Sequence, residues 1–436
     1  MKYCCVLALL LGGALAAGCS RTDGAASPAV PKPAAKAAAA APVGPPRWFK
    51  GNLHTHSLWS DGDDYPERIT AWYRDHGYQF LAISDHNVLQ RGEKWVRFAD
   101  VKKKGAGPAT GQYLKQYATV ARTRGDLSGE AYEIRLTPFE EYRGLFEKPG
   151  EYLLIPSEEI SDKFEKKPIH ICATNLGEPI KPQGGKSVVE VIENNFKAIY
   201  EQGRRLNRPI LPHLNHPNFQ WGVTADEMAR VVEERFVEVY NGHPIVNHLG
   251  DKDRPGVERM WDIANTLRMT SFKTSPLMGL GTDDTHNYHT QGMKRATAGR
   301  GWIHVRATTL TPEALIAAME KGDFYASSGV TLNDVRYDAA AGTLEVQVAP
   351  EAAARFTTRF IGTLAPTKAG ATPTESEIGA VLATVEGTKA TYKLSGRELY
   401  VRAVVTSDQP AENPSVENQL KQAWTQPVGW ERHLKN

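Results

Sequence analysis

The sequence predicts an α/β protein, a barrel or an open sheet with its site at the carboxyl ends of the strands, followed by a small antiparallel β module. Three observations carry this expectation. Between residues 52 and 282 short apolar runs recur, and nearly all of them lead into a residue able to bind metal. Stretches with apolar residues spaced for one helix face alternate with those runs. Beyond Val330 the texture changes to short segments of alternating apolar and polar residues between Gly, Ala and Pro turns.

The first run lies in G-N-L-H-T-H-S-L-W-S-D-G, residues 51–62. On an extended strand side chains alternate faces, so His54 and His56 project the same way and can hold one cation between two imidazoles. Asp61 follows in a Ser-Asp-Gly turn. One H-x-H among 13 His is weak evidence alone, because two histidines on a strand can also be satisfied by carbonyls or water. Later runs repeat the theme. Residues 80–84 (F-L-A-I-S) lead into Asp85-His86, 152–157 into Glu158-Glu159, and Pro168-Ile169 into His170. Residues 210–212 lead into His213 and His216-Pro217, and 277–282 into Asp283-Asp284-Thr285-His286. A polar group at the carboxyl end of strand after strand is the pattern of an α/β barrel or a doubly wound sheet, and periodicity alone allows either. The candidate strands are 52–56, 80–84, 152–157, 169–173, 210–213, 236–240 and 277–282. The candidate helices are 66–76, 187–201, 225–234 and 257–267.

Residues 87–151 form an insertion of mixed charge with K-K-K-G-A-G-P-A-T-G in its middle. Insertions after a strand's carboxyl end fall on the site side, which makes this one an expected wall of the site. Arg91 and Lys94, close after His86, are its candidate substrate-facing cations. A further helix is expected over 311–321. The β module then shows strand-like segments at 332–337, 343–348, 355–362 and 399–406, with a structural role as the expectation.

The N-terminus is expected to be a targeting segment. Lys2 is followed by an apolar stretch, and Leu15-Ala16-Ala17-Gly18-Cys19 places small residues before a cysteine. That resembles a bacterial lipoprotein signal, with Cys19 the lipidated first residue of the mature chain. The implied location is the cell envelope, lipid-anchored on the periplasmic side, and Ser20 after the cysteine points by analogy to the outer membrane. Residues 20–46, rich in Ala and Pro, hold too few large apolar groups to bury a core and read as an extended tether. Cys4 and Cys5 leave with the signal, so no disulfide framework is expected. The expected division is 1–19 signal, 20–46 tether, 47–329 catalytic domain and 330–436 β module.

Composition bounds the partners. With 52 Lys+Arg against 50 Asp+Glu, a net charge of +2, there is no broad basic field, and no duplex nucleic acid partner is expected. No G-x-S-x-G or P-loop competes with a metal mechanism.

The motifs in order, L-H-T-H-S, S-D-H-N, P-S-E-E-I, I-H-I, N-H-P-N and D-D-T-H, resemble the polymerase and histidinol phosphatase (PHP) family of metal-dependent phosphoesterases over residues 48–329. Ser157 stands where that family usually has Gly. The resemblance implies a distorted (β/α)7 barrel and two or three divalent transition metal ions, zinc, manganese or iron. It implies that His54, His56, Glu159 and Asp284 hold one ion, that Glu159 bridges to a second held by His170 and His216, and that Asp61, His86 and His286 hold a third. Asp284 and His286, two apart, can share a face that Asp283 cannot. Asp283 and Asp85 are therefore assigned supporting roles. Among the other histidines His213 is the rival of His216, and the Pro after His216 decides for the latter. Arg300, in A-G-R-G-W, is a candidate phosphate ligand, and His286 or Asp61 a candidate donor to the leaving group. The implied reaction is hydrolysis of a small phosphorylated substrate by a metal-activated water. The alternatives are a metal-dependent amidohydrolase and a non-catalytic lipoprotein that binds an envelope ligand.

Overall fold

The computed structural model describes residues 44–126, 129, 131–367 and 371–434. The signal segment with Cys19 and most of the tether lie outside the described residues. Among the described residues no helix is long and apolar enough to cross a membrane.

The chain is a mixed α/β protein with several sheets and eight α-helices among the described residues. A five-stranded sheet runs in the order Met278–Thr282, Phe236–Asn241, Leu211–Leu214, Lys167–Thr174, Ser157–Phe164. A nine-stranded sheet holds Leu153–Leu154, Phe80–Leu81, Arg47–Asn52, Trp302–Ala307 and Phe324–Ser327, then continues into four strands of the C-terminal region. The hydrogen-bond ladders therefore do not close into one barrel. The two sheets meet at isolated parallel bridges, Thr55 with Thr285 and His86 with Glu159.

Two departures from the expected strands follow from local chemistry. The ladder of the first strand ends at Asn52, before the histidines, because His54 and His56 leave it for the neighbouring segment. There His56 N donates to Thr285 O at 2.9 Å and Asp284 N donates to His54 O at 3.0 Å. The second departure is one of direction. Ser157–Phe164 and Lys167–Thr174 form an antiparallel hairpin turned at Glu165 (φ 55°), so His170 is not at a carboxyl end but opposite Ser161 in the middle of the ladder.

The helices begin and end where their sequences dictate. Ser187 caps Val188–Leu206 by accepting from Glu190 N, and Asn207 ends it at φ 47°. The helix buries Val188, Val191, Ile192, Phe196 and Ile199 against the sheet, each worth about 1.5–3 kcal/mol of apolar transfer. Thr224 and Glu227 form a capping box for Ala225–Arg230, which stops short of the expected 234. Val257–Leu267 spans the expected residues.

The β module is not separate from the sheet before it. Ala326 pairs with Trp424, and Trp424 packs in the same apolar cluster as Val239 and Trp261. Buried Arg402 reaches back to Asp262 at 2.6 Å and Glu258 at 3.0 Å. The insertion carries its own three-stranded sheet, Lys94–Arg97, Glu133–Leu136 and Arg122–Arg124.

Candidate metal centre

The segments where the two sheets meet bring His54, His56, Asp61, His86, Glu159, His216, Asp284 and His286 together, and the hairpin adds His170 from the middle of its ladder. Glu159 sits at their centre, fully buried. Its carboxylate oxygens lie 3.4 Å from His54 Nε2, 3.5 Å from His56 Nε2, 2.6 Å from His86 Nδ1, 3.0 Å from His170 Nδ1 and 3.4 Å from His216 Nε2. Asn215 Nδ2 donates to it at 2.7 Å. Asp284 Oδ1 lies 3.3 Å from His54 Nε2 and 3.1 Å from His56 Nε2. The neighbouring glutamate points the other way, as strand alternation requires: Glu158 accepts from the amide of Ile180, in the segment that follows the hairpin.

Donor atoms group within ligating distance of one another in several sets: His54, His56 and Glu159; His54, His216 and Asp284; His86, Glu159 and His170; and His56, Asp61, His86 and His286. The grouping departs from the expected one at three residues, His216, His86 and His56, the last also standing with Asp61, His86 and His286. His216 falls with His54 and Asp284, and His86 also reaches the Glu159–His170 pair, because the hairpin carries His170 toward His86, with ring centroids 5.5 Å apart. His56 lies between His86 and His286, stacked at 4.4 and 4.1 Å. Asp61 is the exposed member, 56% accessible, 3.3 Å from His286 Nε2 and 3.5 Å from His86 Nε2.

Backbone strain marks the same place. His216 adopts φ 21° and Asp284 φ 49°, conformations that residues with a Cβ seldom take unless their surroundings impose them. Gly62 closes the turn that carries Asp61, and a Cβ there would stand 2.5 Å from the His56 carbonyl carbon.

The electrostatics favour charged carboxylates facing imidazoles. Burial acts to raise Glu159, yet His86, His170 and His54 hold it well below the usual range. Burial likewise opposes ionisation of Asp284, and His54 and His56 outweigh it. Burial pulls His86 down, but Glu159 and Asp61 lift it to about 11. For His56 burial and the neighbouring His286 and His86 prevail, lowering it to about 4. Fully buried His54 Nε2 and His56 Nδ1 have no hydrogen-bond partner among the described residues. Orphaned imidazole nitrogens beside ionised carboxylates are a donor set that suits divalent cations.

The supporting residues are distinct. Asp85 accepts from Ser57 N at 2.8 Å, Ser57 Oγ at 2.6 Å and Gln90 Nε2 at 2.6 Å, which fixes the loop after His56. Asp283 accepts from Tyr73 Oη at 2.8 Å and from the amides of Gly299, Arg300 and Gly301 at 3.0, 2.6 and 2.8 Å. The three expected substrate cations are occupied elsewhere. Arg300 is buried and donates to the carbonyls of Gly242 at 2.8 Å and Gly292 at 3.2 Å. Arg91 donates to the Gly177 carbonyl, and Lys94 to that of Trp59. Lys104, from the K-K-K run, donates to Ser60 O at 2.6 Å and Gly62 O at 3.3 Å, so the insertion braces the Asp61 turn.

Sequence reasoning missed Glu238, Asn215 and the place of Cys172 beside His213, which it weighed only as the rival of His216. Glu238 is a single charge in the otherwise apolar run F-V-E-V-Y, and a charge at the centre of a buried strand is the signal that would have found it. His213, fully buried, groups with His54 and Cys172.

No protein-family model matches the chain, and no curated protein matches it. Among the solved structures similar to it are two from bacteria. One is a two-domain protein from Bacteroides vulgatus containing a predicted PHP-like metal-dependent phosphoesterase, with 15% identity, 91% of this chain and 100% of that chain covered, and a TM-score of 0.40. The other is a candidate metal-dependent phosphoesterase from Bifidobacterium adolescentis, with 11% identity, 55% and 88% covered, and a TM-score of 0.30.

Proposed function

We propose that this chain is a PHP-type metal-dependent phosphoesterase whose centre holds two or three divalent ions between His54, His56, Asp61, His86, Glu159, His170, His216, Asp284 and His286. The observation that carries this reading is the convergence of those side chains on buried imidazole nitrogens that lack a hydrogen-bond partner among the described residues. The proposed architecture is a distorted (β/α)7 barrel, supported by the isolated bridges that join the two sheets on the site side.

Divalent ions at such a centre supply Lewis acidity toward phosphoryl oxygens and lower the pKa of bound water. The chain supplies the rest. Glu159 and Asp284 balance charge and fix spacing, each reaching several imidazoles. In the two-ion form, where Asp61 and His286 hold no cation, Asp61 Oδ1 and His286 Nε2, 3.3 Å apart at the exposed rim, can hold a proton between them and pass it to the leaving oxygen. His286 Nδ1 stands 3.0 Å from the Asp284 carbonyl, which orients the ring. A cleft of about 520 Å³ opens beside His170, and its charged lining is Lys163, Lys166 and Asp162, the last held by the Gly184 amide and Asn195 Nδ2 at 2.8 Å each. Neither lysine ammonium has an ion-pair partner among the described residues, and two cations against one carboxylate suit a cleft that draws in an anionic ester. The lipid anchor at Cys19 and location in the bacterial envelope belong to the same proposal.

Elemental analysis and turnover test it together. Protein purified without chelator is expected to carry more than one equivalent of transition metal, to lose at least one in the His54→Ala, His56→Ala variant, and to hydrolyse phosphoesters in a panel that includes amides. Full activity in metal-free protein refutes the mechanism, and turnover of amides alone reassigns the reaction.

A further inference from the structure

Glu238 takes no part in the proposed ligand set, yet its buried carboxylate is where the supports of that set meet. Oε1 accepts from His54 Nδ1 at 2.7 Å and from Thr282 Oγ1 at 2.8 Å. Oε2 accepts from the main-chain amide of His216 at 2.8 Å and from Asn241 Nδ2 at 2.8 Å. The same Asn241 nitrogen donates to Asp284 Oδ2 at 3.1 Å. His213 Nε2 adds a further contact at 3.4 Å. One side chain on Phe236–Asn241 thus touches the first ligand's ring, the main chain of another, and the neighbour of a third.

An ionised carboxylate only accepts hydrogen bonds, so each of these partners must donate. His54 therefore carries its proton on Nδ1. Its Nε2 lone pair is left facing Glu159 at 3.4 Å and Asp284 at 3.3 Å, the side on which a cation would bind. The amide bond to His216 bears on a residue held at φ 21°, a conformation that needs an external tie. Both effects act on geometry rather than on the reacting atoms.

We propose that Glu238 is the positioning residue of the metal centre: it fixes the tautomer and ring orientation of His54 and anchors the strained main chain of His216, so that both meet a divalent cation preorganised. This rests on the metal-dependent reading above. An amide in place of the carboxylate cannot serve, because its NH2 group must face at least one of these donors.

The test is zinc affinity of the metal-free full chain, measured by competition with a chromophoric chelator, for wild type, Glu238→Gln and Thr282→Val. Thr282→Val removes one neutral hydrogen bond to Glu238 at almost constant volume, without touching its charge or His54, so it reports what loss of a single support does. Glu238→Gln is expected to weaken zinc binding by about 10- to 100-fold, and Thr282→Val by no more than about 3-fold. Equal affinities in the two variants overturn the proposal. Histidine ¹⁵N shifts of the zinc-loaded wild type give a second readout that needs no variant to fold: a proton on Nδ1 of His54 is expected, and one on Nε2 overturns the proposal. Wild type that takes up no zinc at all is a different result, since it removes the metal-dependent reading itself before any variant is compared.

Discussion

Replacing Glu159 and Glu158 by glutamine, one at a time, should have opposite consequences although the residues are adjacent. The Glu159 carboxylate meets imidazole nitrogens at distances from 2.6 to 3.5 Å, and an ion seated among them would be at least as close. A unit charge about 3 Å from another, at an effective dielectric near 20, is worth roughly 5 kcal/mol. That corresponds to about three to four decades of affinity. Glu159→Gln is therefore expected to lose bound metal and to drop turnover by about 10³-fold or more. Glu158 faces away, and burial raises its carboxyl from 4.5 to about 7. Because the folded value lies above the unfolded one, the stability it permits is complete below about pH 4.5 and falls as the pH rises toward 7, by an amount on the order of 3 kcal/mol. Glutamine keeps the acceptor for the Ile180 amide and removes that loss. Glu158→Gln should then match wild type in metal content, stay within about 10-fold of its rate, and be the more stable protein at pH 8 but not at pH 4. Metal analysis, steady-state rates and urea melts at both pH values decide the matter. Collapse of metal content in Glu158→Gln with survival in Glu159→Gln would falsify the strand register argued here.

Other outcomes follow from the same geometry. Gly62→Ala places a methyl group against the His56 main chain at 2.5 Å, and is expected to cost about 1–3 kcal/mol in thermal melts and at least about 10-fold in turnover as Asp61 shifts. An unchanged rate would show that the Asp61 turn is not needed. Charge reversal at Lys163 and Lys166 should raise KM for p-nitrophenyl phosphate about 10-fold at low salt, with kcat nearly constant and the difference shrinking in 1 M salt. Equal KM values would place the substrate elsewhere. Cys19→Ala should release an active, soluble enzyme from the membrane fraction. Continued membrane association of that variant argues against the lipid anchor.

Much of the site was legible because its residues sit in short, ordered motifs. His54 and His56 were expected to share a face, and both rings reach Asp284. Asp283 and Asp85 were expected to support rather than ligate, and each accepts several hydrogen bonds from loops around the site. What was not legible depended on chain direction and on distant partners. The His170 motif reads as the end of an apolar run, whereas the Glu165 turn reverses the chain and brings His170 in from the other side. Arg300 follows the last motif closely, but its guanidinium is held by carbonyls that only the folded chain supplies. The hydrogen-bond ladders do not run continuously round the expected ring, and the joins between the two sheets escape sequence reading for a related reason. Two of the contacts that join the sheets are single bridges at histidine and threonine positions, too short to leave a periodic trace.

The pairing of Ala326 with Trp424 bears on where this protein can be cut. Phe324–Ser327 lies between Trp302–Ala307 and Leu420–Thr425, and Trp302–Ala307 in turn pairs with the strand that leads to His54. A chain ending at Gly329 would leave Phe324–Ser327 as a bare edge, its amides and carbonyls open to any passing strand, and would empty the place of Trp424 beside Val239 and Trp261. The histidines would then stand two strands from an aggregation-prone border. Surface display, fusion and crystallisation work should keep the C-terminal hundred residues in place, and a relative that lacks them would need another element to cover the same edge.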